Sequence, residues 1–104
     1  ALPIFIANHG GDHAIYPDCR PEFVKAMDNA MTTGTYEGVK LAAPYTNITK
    51  GDIVKKGIAL GIDYSKTYSC YRGKEHHCGR CGTCQERKEA FKEAGIIDPT
   101  NYED

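Results

Sequence analysis

Apolar positions along this chain fall in short stretches separated by polar, glycine-bearing segments. Residues 3–7, Pro3-Ile4-Phe5-Ile6-Ala7, form a continuous apolar run that predicts a buried strand with both faces covered. A loop rich in Gly, His and Asp follows from Asn8 to Asp18. Pro21 suits a first helical turn, where its missing N–H would have no partner anyway. Phe23, Val24, Met27, Ala30 and Met31 then recur at helical spacing as far as Gly34, a natural stop. Val39 to Ala43 reads as a second strand, closed by Pro44. Thr49 and Asp52 predict a capped helix start, and Ile53, Val54, Ile58 and Leu60 supply its apolar surface before Gly61. Thr83-Cys84-Gln85-Glu86 has the form of a capping box, which would put Cys84 at the first helical position of a last helix running to Gly95. Residues 62–82 show no period and need some other constraint.

Strand, helix, strand, helix, cysteine loop, helix is the order of an α/β fold with a parallel sheet, although two strands are few for a self-sufficient one. The chain has 104 residues, room for one compact domain, with 40% hydrophobic and 26% charged residues, ordinary for a globular protein. No stretch is apolar enough to span a bilayer, and the N-terminus lacks the pattern of a signal peptide; it reads as the first strand of a domain that begins mid-protein. The formal charge of -1 argues against a nucleic-acid partner for the whole chain, while Arg72 to Lys92 is locally basic.

Of five cysteines, Cys70, Cys78, Cys81 and Cys84 lie within fifteen residues and Cys19 stands apart. An odd count with such close spacing suits a metal site in a reducing compartment better than a disulfide framework. Four thiolates satisfy tetrahedral zinc, and with four sulfurs the coordination sphere is closed, so the ion would be structural. An iron–sulfur cluster is the alternative, though its cysteine spacing is usually different. Gly79 and Gly82 each follow a ligand and would let the backbone aim N–H groups at sulfur. His76 and His77 are expected to be solvated or to face a substrate.

Other residues have two readings each. Asp18 and Arg20, just before the first helix, can recognise a planar polar ligand, or simply make a turn and carry surface charge. His9, Asp12 and His13, with Gly10 and Gly11 between, follow the first strand, where ligands gather in parallel sheets; the plain reading is a flexible loop. Lys50 in the first turn of the second helix is mildly unfavourable unless an anion is bound there. Cys19 is a small hydrophobe or a nucleophile.

Several motifs together resemble one family. Tyr16-Pro17-Asp18-Cys19-Arg20-Pro21-Glu22-Phe23, Lys50-x-x-Ile53-Val54, Ser69-Cys70-Tyr71-x-Gly73 and Cys78-Gly79-x-Cys81-x-x-Cys84 are similar to the C-terminal part of the 7-cyano-7-deazaguanine synthases. Arg87-x-x-Ala90-Phe91-x-x-Ala94-Gly95 with Asp98-Pro99 fits too. The resemblance implies a cytoplasmic, homodimeric ligase of queuosine biosynthesis that turns 7-carboxy-7-deazaguanine and ammonia into the nitrile with ATP and magnesium. It implies the C-terminal portion of a Rossmann-like PP-loop ATPase fold, with residues 1–62 completing a nucleotide-binding domain and residues 63–104 forming a zinc loop and terminal helix. It further implies Cys70, Cys78, Cys81 and Cys84 as zinc ligands, Lys50 near the nucleotide phosphates, and Asp18 and Arg20 facing the substrate, with His9 and Asp12 as further binding candidates. No catalytic residue is assigned. The family's Ser-Gly-Gly-x-Asp-Ser phosphate loop is absent, so the chain alone is expected to be inactive. The other readings are a zinc-ribbon-like nucleic-acid module and part of another PP-loop enzyme, such as a tRNA thiolase with a catalytic cysteine.

Overall fold

In a computed structural model, which describes residues 2–103, the chain divides into two compact units between Thr49 and Lys50. In the first unit, strand β1 (Ile4–Phe5) pairs in parallel with β2 (Leu41–Ala42), in the register Ile4 to Leu41 and Phe5 to Ala42. Helix α1 (Pro21–Gly34) makes the crossover between them. Pro21 opens it and Gly34 is its last residue, as the spacing predicts. Side chains of α1 and of the residue that caps it also hold the return: Asp28 Oδ1 accepts the Leu41 N–H at 2.8 Å, and Thr35 Oγ1 accepts the Val39 N–H at 2.9 Å.

The apolar run at residues 3–7 departs from expectation. Only Ile4 and Phe5 are strand, and they are 54% and 69% exposed. A pair of two-residue strands has too little face to bury its own side chains, so an apolar run makes a strand here without making a core. What is buried in this unit, among the described residues, is polar: Asn8 and Thr46, joined by the Thr46 hydroxyl donating to Asn8 Oδ1 at 3.0 Å.

The second unit starts with α2 (Lys50–Ala59), which packs on α3 (Gly82–Ala94) around Val54, Ala90 and Phe91. Gly51, Val54 and Gly57 are the buried positions of α2, at the three-residue spacing of one helix face. At Gly57 a Cβ would fall on the Tyr64 hydroxyl. Tyr64 lies within hydrogen-bond range of the Ile53 and Val54 carbonyls, and its ring meets Phe91 edge-on at 5.3 Å. Ile58 is exposed although it follows Val54 by one turn on the same side, at the end of the helix, and Leu60 is exposed because it lies past that end. Gly61 at φ 80° and Gly95 at φ 70° end the two helices, each followed by an N–H that reaches back to Gly57 or Phe91.

The capping box predicted at Thr83 does not form. Helix α3 starts at Gly82 with extended Cys81 as its N-cap, and Cys84 is its third residue. The turn that brings Cys81 to the other sulfurs sets the helix start, and Thr83 and Glu86 take other partners. No helix among the described residues is long and apolar enough to cross a membrane.

Candidate functional site

Residues 62–82 carry little regular structure, yet this segment and the start of α3 bring four sulfurs together. The Sγ atoms of Cys70, Cys78, Cys81 and Cys84 all lie within 4.8 Å of one another, and all four residues are buried. Cys70 and Cys81 are 3.9 Å apart and Cys78 and Cys84 4.0 Å. Four sulfurs placed about 2.3 Å from one tetrahedral ion are about 3.8 Å apart. The separations therefore suit a single ion and are far too long for disulfides, and all five cysteines are free. A polynuclear iron–sulfur cluster spreads its thiolates over several irons and would hold them wider apart.

Backbone donors complete the case for thiolates. Cys70 Sγ accepts N–H bonds from Arg72, Gly73 and Cys78 at 3.2, 3.0 and 3.3 Å. Cys78 Sγ accepts from Arg80 and Cys81 at 3.3 and 3.2 Å. Burial pushes the Cys70 thiol up, but its N–H donors outweigh this and bring it down to about 7. The Thr83 hydroxyl and the backbone N–H groups of Tyr71 and Cys84 lower Cys81 to about 5. Burial pushes Cys84 up to about 12, so in the absence of an ion the quartet keeps a proton there. A divalent cation supplies the positive charge that displaces it.

Two glycines make these turns possible, and one is not the one expected. Gly79 has φ 76°, and its N–H-aiming role holds. Gly82 is an ordinary helical residue with open space around it, so it has no such role. Gly73 takes its place: a Cβ there would strike the His76 carbonyl, while its N–H donates to Cys70.

The two histidines of the loop separate. His76 is exposed, but His77 is 4% exposed and so is not solvated. Its Nε2 accepts the Ser69 N–H at 3.0 Å, and its ring lies 4.5 Å from that of Tyr68. Burial lowers its pKa, which favours the neutral ring that can accept this bond. The chain beyond α3 then clasps the loop. His77 N–H donates to Asn101 O, Glu103 N–H donates to His77 O, and the Tyr102 hydroxyl donates to Asp98. Arg87 ties these pieces together by donating to Thr100, Ser69 and Thr67 hydroxyls and to the Tyr64 carbonyl.

Lys50 pairs with Glu86 at 2.8 Å, from the first turn of α2 to the first turns of α3. In the first unit, the loop after β1 is ordered as short 3-10 turns at Gly10–Asp12 and Pro17–Cys19. His9 meets Asp12 at 3.2 Å and accepts the Gly11 N–H on Nδ1; His13 Nε2 lies 2.7 Å from Thr46 O; Arg20 Nε donates to His13 O at 2.6 Å. The structure thus joins His9 with Asp12 and Arg20 with the His13 backbone, while Asp18 is exposed beside Cys19. Arg87, Gly73 and His77 are the residues whose roles sequence reasoning missed. Arg87 and Gly73 stand in the quoted motifs, but their partners are distant in sequence or in the backbone.

The model of the family described as queuosine biosynthesis protein QueC matches residues 1–95. The chain belongs to this family. Among its curated relatives, the 7-cyano-7-deazaguanine synthase of Porphyromonas gingivalis strain ATCC 33277 is 62% identical over 96% of this chain and 46% of its own length. That of Methanoregula boonei is 58% identical over the same shares. That of Caldicellulosiruptor bescii is 54% identical over 99% of this chain and 47% of its own length. The chain therefore spans about half the length of the relatives it matches. No solved structure matches it significantly.

Proposed function

We propose that this chain is the C-terminal part of a 7-cyano-7-deazaguanine synthase, an ATP-dependent ligase that converts 7-carboxy-7-deazaguanine and ammonia into the nitrile. The observation that carries the reading is identity of 54–62% to proteins of that name over nearly the whole chain. In this reading ATP activates the carboxylate by adenylation, ammonia displaces AMP to give the amide, and a second activation dehydrates the amide. Residues 1–62 complete a Rossmann-like PP-loop domain that binds ATP and magnesium, and residues 63–104 form the zinc loop and terminal helix. Cys70, Cys78, Cys81 and Cys84 hold a structural zinc ion. Its closed sulfur shell leaves no position for a reacting water, so its contribution is to fix the loop.

The binding roles follow the same reading. Lys50 turns from Glu86 toward the nucleotide phosphates, where the start of α2 also favours an anion. Asp18, Arg20, His9 and Asp12 contact substrate or nucleotide from the ordered loop after β1. Burial and the carboxylates of Asp18 and Asp12 raise the Cys19 pKa, which disfavours the thiolate a thiolase would use. The complete enzyme works as a cytoplasmic homodimer, and this chain by itself is inactive. The test is mass-spectrometric detection of the nitrile from the acid, ammonium and MgATP. The full-length enzyme containing this sequence is expected to form it and the isolated chain is not. A zinc-loaded full-length enzyme that consumes no acid would refute the assignment.

A further inference from the structure

The match to the family model stops at residue 95, and the segment that fastens the sulfur loop lies just beyond it. Residues 98–103 are tightly tied to themselves and to α3. Asp98 accepts the Thr100 N–H at 2.9 Å and the Tyr102 hydroxyl, which closes the segment into a turn. Arg87 Nε donates to the Thr100 hydroxyl at 2.7 Å. The His77 N–H donates to Asn101 O at 3.2 Å and the Glu103 N–H to His77 O at 2.7 Å, so both peptide groups of His77 are gripped in a short parallel bridge. Between these two bonds, Tyr102 packs against the four-cysteine cluster and meets the His77 ring edge-on at 5.9 Å. Lys88 adds a second hold: its ammonium lies 4.5 Å from the Tyr102 ring centre and donates to the Gly79 carbonyl at 3.0 Å. A Cβ at Gly79 would lie 3.3 Å from Lys88 Nζ and 3.4 Å from Tyr102, so ring and ammonium both rest on the turn between Cys78 and Cys81.

An ion leaves a closed four-sulfur shell one ligand at a time, and a sulfur must swing clear before a competing ligand can take its place. Cys84 is fixed inside α3 and Cys81 at its start, so the freedom to move lies in the loop that carries Cys70 and Cys78. Cys78 follows His77 directly, and its backbone cannot retreat while both His77 peptide groups are held. We propose that residues 98–103 are a latch over this loop, with Tyr102 as its bolt, and that the latch sets how long the metal stays bound. Asn101 and Glu103 are exposed, so the latch opens by local unfolding, at less cost than loss of the whole unit. The inference rests on the four sulfurs holding an ion and is independent of the reaction.

The test is the rate at which the full-length zinc protein gives up its metal to an excess of a chromogenic chelator. Tyr102→Ala removes the ring from Lys88 and His77 and is expected to release zinc about tenfold faster than wild type. Ending the chain after Pro99 also removes the two His77 peptide bonds to the latch and is expected to raise the rate about a hundredfold. Co(II) in place of zinc reads the ligand set, and its four-thiolate absorption is expected to be the same in wild type and in Tyr102→Ala. Release at the wild-type rate in both variants overturns the latch. So does a changed cobalt spectrum in Tyr102→Ala, which would mean that the ring shapes the sulfur shell itself. A wild-type protein that takes up no zinc refutes the metal reading on which the latch rests, a failure distinct from bound zinc that the variants release no faster.

Discussion

Up to Thr49, the buried side chains among the described residues are Asn8 and Thr46, while Leu2, Ile4 and Phe5 face outward. From Lys50 onward, Val54, Ala90, Phe91 and four cysteines are buried. The second unit has a small hydrophobic core and a cluster of sulfurs poised for an ion; the first is ordered by hydrogen bonds around a polar pair and leaves its strand uncovered. Apolar pattern alone would have ranked them the other way, since the first unit has the continuous apolar run. The difference is that burial needs an opposing surface, which α3 supplies to α2 and which the two-residue strands do not supply to each other.

The largest test of this contrast removes the ion. One zinc per chain is expected by elemental analysis, and Cys78→Ala should lose it together with cooperative unfolding of the second unit. Structural zinc contributes on the order of 10 kcal/mol in small domains, more than the α2–α3 core can replace. A metal-free wild-type chain that keeps hydrogen-exchange protection in α3 would break the comparison. Next in size is Phe91→Ala, which should cost about 3–5 kcal/mol in chemical denaturation, since the ring is 2% exposed and carries the Tyr64 contact. A loss below about 1 kcal/mol would show that the metal does all the work and the core little. The smallest, Thr46→Val, probes the polar unit. It leaves Asn8 Oδ1 without its hydroxyl donor and should cost about 1–3 kcal/mol, read as lost amide protection at Gly10 and Ile48, which are themselves bonded at 2.7 Å. No change there would mean that something other than the polar pair orders this unit.

What could be read from the sequence follows the same division between local and distant causes. Helix α1 was legible because Pro21, the apolar spacing and Gly34 are all local signals, and Gly95 stopped α3 for the same reason. The sulfur quartet was legible because short cysteine gaps constrain geometry by themselves. Thr83-x-x-Glu86 misled because the helix start answers to the position of Cys81, not to its own capping preference. His77 and Arg87 were illegible because their meaning lies in partners 8 to 26 residues away. The pairing of β1 with β2 agrees with a parallel α/β arrangement, and a second layer over Ile4 and Phe5 is the part of that expectation which two short strands leave unexpressed.

The clasp of Asn101 and Glu103 on His77 has a consequence for how the protein matures. Since the bridge next to Cys78 is made by residues some twenty-five positions later, the ribosome must deliver almost all of this sequence before the loop can be fastened. An ion taken up before that point would be held by the four sulfurs alone, with no clasp yet behind them.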